Sequence, residues 1–404
     1  MKIAAVDTIQ VAAYSNIVWV EIHTDEGIVG LGETFRNPQA VVAYIHETCA
    51  PYLLGKDPLA IEQHWDALHH RVGNHFNGYP TRSVEIRGNS AVDIALWDLF
   101  GQSAGLPIHQ LLGGLTKEKL RIYNTCAAPS YNAVARTRSN TVSKAELQAD
   151  RDNDLVAQWE QPGELAQSLL SEGITGMKIW PFDQFVGSSR GHYISLADLK
   201  AGARPFAEIR KAVGDRIDIM HEMHALWSYP AACDIARVLA DYQVFWHEDP
   251  VPMHDFKSLS DFKDMCGTRV AGSENLGTRY WYREAFERGA IDVAHFDIGW
   301  IGGITEGKAL AALAQTYGRP IAPHDCTGPI VFIASIHLSL NAANALIQEA
   351  VRAFYNGFYR DIVTVMPRID DGFVYPMAGG GLGTRLRDDI RKRSDVTVRR
   401  SAAS

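Results

Sequence analysis

Three carboxylates stand at equal intervals in the middle of this chain: Glu222 in IMHEMHALW, Glu248 in VFWHEDPVP and Glu274 in VAGSENLGT, 26 residues apart in each case. Each ends a short run of strand-forming apolar residues. A period of this length fits one strand plus one returning helix. The three acids then sit at the C-terminal ends of successive parallel strands, and in a (β/α)8 barrel those ends form the functional face. Carboxylates gathered there would repel one another, and burying them unpaired is costly. A hard divalent cation removes both difficulties, and an oxygen-only donor set suits Mg²⁺.

The ladder continues beyond the acids. Asp297 follows in VAHFDIGW, His324 in PIAPHDCTG and Glu349 in NALIQEAV, at intervals of 23, 27 and 25 residues. Upstream, Lys178 ends GITGMKIW. A single polar residue beside a strand is ordinarily a solvated loop group or a satisfied structural one. An ordered series of such residues at six or seven strand ends is not expected by chance, and it points to a catalytic face.

A barrel of this kind needs about 250 residues; the chain has 404, so a second domain is expected. The first segment, residues 2–34, reads as a meander, with DEG as a hairpin turn between two alternating runs. Helical spacing follows at 39–53 and 58–72, then a long helix in EIRGNSAVDIALWDLFGQSAG, ended by Gly105-Leu106-Pro107. Strands followed by helices without alternation indicate an α+β unit. From about residue 118 the rhythm becomes strand–helix, with strands near 120–125, 174–179, 217–221, 243–247, 268–272, 292–296, 319–323 and 345–348. Alternation alone also suits an open doubly wound sheet; polar groups on nearly every strand end favour the closed ring. The polar stretch 127–161 is long enough to be a lid beside the site, or else a surface or subunit-contact insertion. The glycine run MAGGGLG lacks a following helix and reads as a turn, not a phosphate loop.

Composition excludes several classes. A net charge of −8 argues against a general nucleic-acid or anionic-membrane surface. No apolar run reaches the roughly 18 residues of a membrane span, and no leader-like segment opens the chain. The five cysteines are scattered and odd in number, which fits a reducing cytoplasm and not a disulfide frame or zinc site. Cys326 reads as a small packing residue near His324, with a nucleophilic Cys–His pair as the alternative.

These motifs together resemble the enolase superfamily, in its mandelate racemase subgroup, over nearly the whole chain. AVDIALWDLFGQSAGLPIHQLLGG is similar to that family's capping helix and its exit into the barrel; HEDP, GSEN and FDIGWIGGITEGKALAALA are similar to its later strand ends. IAPHDCTGPI and NALIQE look most like galactonate-dehydratase-type enzymes. The resemblance implies a capping domain (1–117), a catalytic barrel (118–356) and a C-terminal segment (357–404) that packs back on the cap. It also implies one Mg²⁺, a carboxylate substrate, an enolate intermediate and a homo-oligomer, often an octamer.

Residue by residue, Glu222, Glu248 and Glu274 take the metal-ligand positions, although the family more often has Asp at the first. Asp297 and His324 take those of a carboxylate–imidazole base, which would remove the proton next to the substrate carboxylate. Lys178 matches the first lysine of a K-x-K motif, whose second lysine is replaced here by Trp180. That replacement disfavours a two-base racemase unless Lys178 itself serves. His224 lies two residues past Glu222, on the same face of an extended chain. It either protonates a departing hydroxide or hydrogen-bonds Glu222. Glu349 matches an eighth-strand acid. Trp180, Phe35, Arg36 and Trp300 are expected against substrate, with Trp227, Asp325 and the NHFNGYP stretch at 74–80 as further walls. His221 and His247 have odd offsets and are expected to point away. The expected activity is Mg²⁺-dependent dehydration of an aldonate or aldarate to a 2-keto-3-deoxy acid. The rivals are an epimerase or cycloisomerase working through the same enediolate, and a catalytically silent barrel that binds sugar acids or is purely structural.

Overall fold

The computed structural model describes residues 1–70, 72, 84–129, 131, 153–187 and 189–403. The 74–80 stretch and most of the 127–161 insertion therefore lie outside the described residues. The chain opens with an antiparallel meander, β1 (Ile3–Val11), β2 (Ile17–Thr24) and β3 (Val29–Phe35). The helices α1 (Pro38–Tyr44), α2 (Ala50–Leu53), α3 (Ile61–His70) and α4 (Val84–Ala104) follow, then the short α5 (Ile108–Leu111). Strand β2 is buried on both faces. Val18, Val20 and Ile22 enter a core with Val41, Ile45, Val92 and Leu96, while Ile17 and Trp19 join the larger core shared with the barrel. The alternating glycines of VGLGETF explain how β3 lies so close to α4: a Cβ at Gly30 or Gly32 would stand 2.1 Å from the Ala95 carbonyl oxygen or 1.9 Å from that of Ala91.

Parallel strands then run in order: β4 (Leu120–Thr125), β5 (Gly176–Ile179), β6 (Asp218–Glu222), β7 (Trp246–Glu248), β8 (Val270–Gly272) and β9 (Val293–Ala294). The seventh position is a single bridging residue, Ile321, paired with Ala294 on one side and Ala345 on the other. The eighth strand, β10 (Gln348–Ala350), pairs parallel with β4 and so carries the ring back to its start. Several strands are shorter than their apolar runs suggest; 319–323 narrows to one bridge because Pro320 and Pro323 cannot donate to a ladder. Tyr123, Met220, Trp246, Ala271, Val293, Ala322 and Ile347 fill the barrel interior.

Among the connecting helices are α6 (Asp154–Glu160), α7 (Pro162–Ser171), α8 (Leu196–Val213), α9 (Tyr229–Leu239), α10 (Phe256–Cys266), α11 (Thr278–Glu287), α12 (Ile298–Ile301), α13 (Gly303–Thr316) and α14 (Pro329–Asn341). Helix α6 falls where the sequence reads as weakly periodic polar chain; Asn153 caps it, accepting from the Leu155 N–H at 3.1 Å. The tail forms a small hairpin, β11 (Ile369–Asp370) and β12 (Phe373–Val374), against β4, and ends in β13 (Val396–Ala402), antiparallel to β1. Among the described residues no helix is long and apolar enough to cross a membrane.

The first unit and the barrel share hydrogen bonds at one seam. Glu33 on β3 accepts the Ile330 and Val331 N–H groups of α14 at 3.0 and 2.9 Å, and the Trp19 indole N–H at 2.7 Å. Thr34 donates to the Gly299 carbonyl at 2.7 Å. Asp93 on α4 accepts from the Thr305 N–H and hydroxyl at 3.0 and 2.5 Å. Gly302 and Gly303 both have positive φ there, and a Cβ on Gly303 would stand 2.3 Å from Asp93 Oδ2.

Candidate active site

Parallel pairing sets the ladder in space. Glu222 ends β6 and pairs directly with Glu248, which ends β7, so their side chains leave neighbouring strands at the same level. Glu274 lies two residues past β8. Glu248, Glu274 and His295 bring one potential ligand atom each within 4.8 Å of one another. Glu222 is held by its own turn, Oε1 accepting from the Met223 and His224 N–H groups at 2.8 and 2.5 Å.

Lys178, buried at the end of β5, threads this acid cluster. Its Nζ lies 2.5 Å from Glu248, 2.8 Å from Glu349 and 3.6 Å from Glu222. Burial opposes the ammonium charge, but Glu248 and Glu349 outweigh it and hold its pKa well above the ordinary lysine value. Glu248 is likewise kept ionised, burial being overcome by His295 and Lys178. Glu222 goes the other way: burial and the adjacent Glu248 charge push it well above the carboxylate range. Asp249, behind the cluster, is pushed up by burial and by Glu274.

These residues fit a hard divalent cation. Glu222, Glu248 and Glu274 offer only oxygen donors, Glu274 Oε2 is buried without a hydrogen-bond partner among the described residues, and Glu222 is pushed towards its neutral form by burial and its neighbours' charge.

Across the ring from β5 and β6 lies the base pair. His324 follows the seventh strand position, and its Nδ1 stands 2.8 Å from Asp297 Oδ2. Asp297 follows β9 and is itself fixed, Oδ1 accepting the Gly299 N–H at 2.7 Å and Oδ2 the Thr327 hydroxyl at 2.8 Å. Glu349 on β10 accepts from the Thr125 hydroxyl, Lys178 and the Asp325 N–H. Burial would raise its pKa, but Lys178 and then His324 drive it far below the usual range.

His224 does not hydrogen-bond Glu222 through its ring. Its backbone N–H reaches Glu222, while its Nδ1 stands 2.6 Å from Asp183 Oδ2. Burial disfavours the charged ring, yet Asp183 raises its pKa above the ordinary histidine value. Trp180 packs edge-on to the His224 ring, centroids 5.7 Å apart, and against Tyr131. Phe35 stacks on Trp300 with centroids 6.0 Å apart and planes 6° from parallel, and Trp300 lies 5.2 Å from the His324 ring. The Arg36 guanidinium carbon sits 5.6 and 5.7 Å from the Phe35 and Trp300 rings. Trp227 is fully buried, and Asp325 is buried with Oδ1 accepting from the Tyr359 hydroxyl. His221 and His247 pair with each other among Phe182, Phe206 and Phe262, on the helix-facing side of the strands.

Three residues near the site went unread in the sequence. His295 lies 3.0 Å from Glu248 and 3.3 Å from Glu349, and these acids, against the cost of burial, hold its pKa up at about 10. The available signal was its offset of two from Asp297, which puts both on one face of the strand. Arg87 stacks 4.3 Å from the Trp300 ring centroid and donates to the Phe35 carbonyl at 2.8 Å. Asp183 gave no signal, because its meeting with His224 is tertiary.

Comparison with known proteins identifies the family. Residues 2–113 match the mandelate racemase / muconate lactonizing enzyme N-terminal domain, and residues 162–390 the enolase C-terminal domain-like family. A solved enolase of the mandelate racemase subgroup from Agrobacterium tumefaciens is 44% identical, with a TM-score of 0.88 over 100% of this chain and 99% of that one. An enolase protein from Sargasso Sea environmental sequencing is 40% identical, also with a TM-score of 0.88 and the same coverage of both chains. A D-galactonate dehydratase of Pectobacterium atrosepticum is 28% identical over 92% of this chain and 89% of its own length. The chain belongs to the enolase superfamily, among the relatives of mandelate racemase and muconate lactonizing enzyme.

Proposed function

We propose that the protein is a Mg²⁺-dependent dehydratase of a sugar acid, an aldonate or aldarate, yielding a 2-keto-3-deoxy acid. The observation that carries this reading is the placing of two carboxylate-bound histidines, His324 with Asp297 and His224 with Asp183, four strand positions apart round the barrel. Such a pair suits a base that takes the α-proton and an acid that meets the β-hydroxyl. The 28% identity to a D-galactonate dehydratase supports it.

Bound by Glu222, Glu248 and Glu274, Mg²⁺ would supply positive charge against the substrate carboxylate, where negative charge grows as the α-proton leaves. Asp297 orients the His324 ring through Nδ1, leaving Nε2 to accept that proton. Lys178, kept cationic by Glu248 and Glu349, stabilises the enediolate oxygens. The same charge makes Lys178 a poor base, which weighs against the epimerase reading. His224 donates a proton to the departing hydroxide, and Trp180 closes that side. Phe35, Arg36 and Trp300 form a wall at His324 that shields the site from water. The enol product then tautomerises to the 2-keto acid.

The test is a screen of mono- and diacid sugars with Mg²⁺, reading 2-keto-3-deoxy product by semicarbazide absorbance. One or a few substrates are expected to turn over, with loss of activity in EDTA and recovery on Mg²⁺. Substrates that exchange their α-proton in D₂O without losing water would replace this reading with the isomerase.

A further inference from the structure

The link between His224 and Asp183 is the least expected contact in the site, and it extends the dehydratase reading on which it rests. After β5 the chain runs through Trp180-Pro181-Phe182 into a 3₁₀ turn at Asp183–Phe185. After β6 it turns sharply: His224 and Ala225 both adopt left-handed φ, 50° and 56°, unusual for non-glycine residues. Backbone N–H groups hold this turn: His224 donates to Glu222, Ala225 to the Asp249 carbonyl at 2.7 Å and Leu226 to the Met223 carbonyl at 3.1 Å. The backbone therefore fixes where the His224 ring starts, but not its rotation. Rotation is set by Trp180, edge-on at 5.7 Å, and by Asp183 Oδ2 at 2.6 Å from Nδ1. The second carboxylate oxygen of Asp183, Oδ1, is buried without a hydrogen-bond partner among the described residues. An isolated buried acceptor is costly, so this side chain is not placed for the comfort of its own turn.

We propose that Asp183 is a positioning residue for the elimination half of the reaction. It engages Nδ1 of His224 and so presents Nε2, the nitrogen left over, to the leaving hydroxyl of the sugar acid. The two ring nitrogens are not equivalent once one is committed. In this arrangement each half of the chemistry has its own carboxylate: Asp297 for proton abstraction at His324, Asp183 for water loss at His224.

The two halves can be measured apart in the Mg²⁺-loaded enzyme with any acid sugar it turns over. Asp183→Ala is expected to lower kcat for dehydration by about 10²-fold, with KM and the rate of α-proton exchange into D₂O each within about threefold of wild type. Asp183→Asn keeps an oxygen acceptor for the Nδ1 proton but not the negative charge, and is expected to recover part of the loss. In ¹⁵N spectra of the protein without substrate, the His224 Nδ1 resonance is expected to shift in Asp183→Ala and to shift less in Asp183→Asn. The proposal is overturned if exchange and dehydration fall together, if Asp183→Asn is as impaired as Asp183→Ala, or if the His224 resonances ignore both substitutions. If the wild type neither exchanges nor dehydrates any sugar acid, the dehydratase reading itself fails. Unmoved ¹⁵N resonances would then reject the positioning role separately.

Discussion

Nδ1 of His324 stands 2.8 Å from Oδ2 of Asp297, and that same oxygen accepts the Thr327 hydroxyl at the same distance. The carboxylate is thus braced before it meets the ring. Asp297→Asn is expected to keep the fold but lower kcat by roughly 10²–10⁴-fold. His324→Asn is expected to abolish α-proton exchange as well as turnover. Rate measurements with ¹H NMR in D₂O check both, and unchanged exchange in His324→Asn would remove it as the base.

Binding of the metal is expected to show in stability as well as activity. By mass action alone, Mg²⁺ at 100 times its Kd is expected to stabilise the fold by about 2.7 kcal/mol. Calorimetry with and without EDTA reads this as a rise in Tm. Glu274→Gln is expected to diminish the rise, and an equal rise in that variant would exclude Glu274 as a ligand.

Lys178 has a structural duty separable from its chemistry. Removing it leaves the buried Glu248 and Glu349 with the His295 ring in place of two cationic neighbours. Lys178→Met is expected to be inactive and, in the absence of metal, about 3–5 kcal/mol less stable in urea unfolding. Mg²⁺ should restore part of that stability but none of the activity.

Glu33 supplies a pH dependence of stability. Burial raises its pKa to about 8 in spite of three N–H donors. The unfolded carboxylate titrates near ~4.3, so between these values the folded state holds the extra proton. Raising the pH through that window therefore costs stability, on the order of a few kcal/mol, and no further loss follows above it. Glu33→Gln cannot titrate. Its Tm relative to wild type is expected to improve from about pH 5 to about pH 9, and parallel curves for the two proteins would refute the assignment.

What the sequence disclosed was whatever depends on period. The 26-residue spacing located Glu222 and Glu248 at strand ends because parallel register repeats with the strand–helix unit. The meander and long α4 followed from alternation and from the glycine and proline after Ala104. Strand lengths were less legible: the prolines flanking Ile321 leave a bridge where an apolar run suggests a strand. Contacts made between loops of different units left no mark. Asp183 reaches His224 only because the ring sets β5 beside β6. Glu33 reads as one polar residue among many until α14 is docked on it.

That docking has a consequence for how the protein unfolds. The first turn of α14 receives its acceptor from Glu33, and the GGITE turn receives its own from Asp93, both on the other side of the seam. The barrel thus borrows its helix caps from the unit that covers it. Prising the two apart would take the acceptors from the N–H groups on one side and the donors from the carboxyl groups on the other. The pair is accordingly expected to unfold as one cooperative body, and a substitution on one side of the seam to be felt on the other.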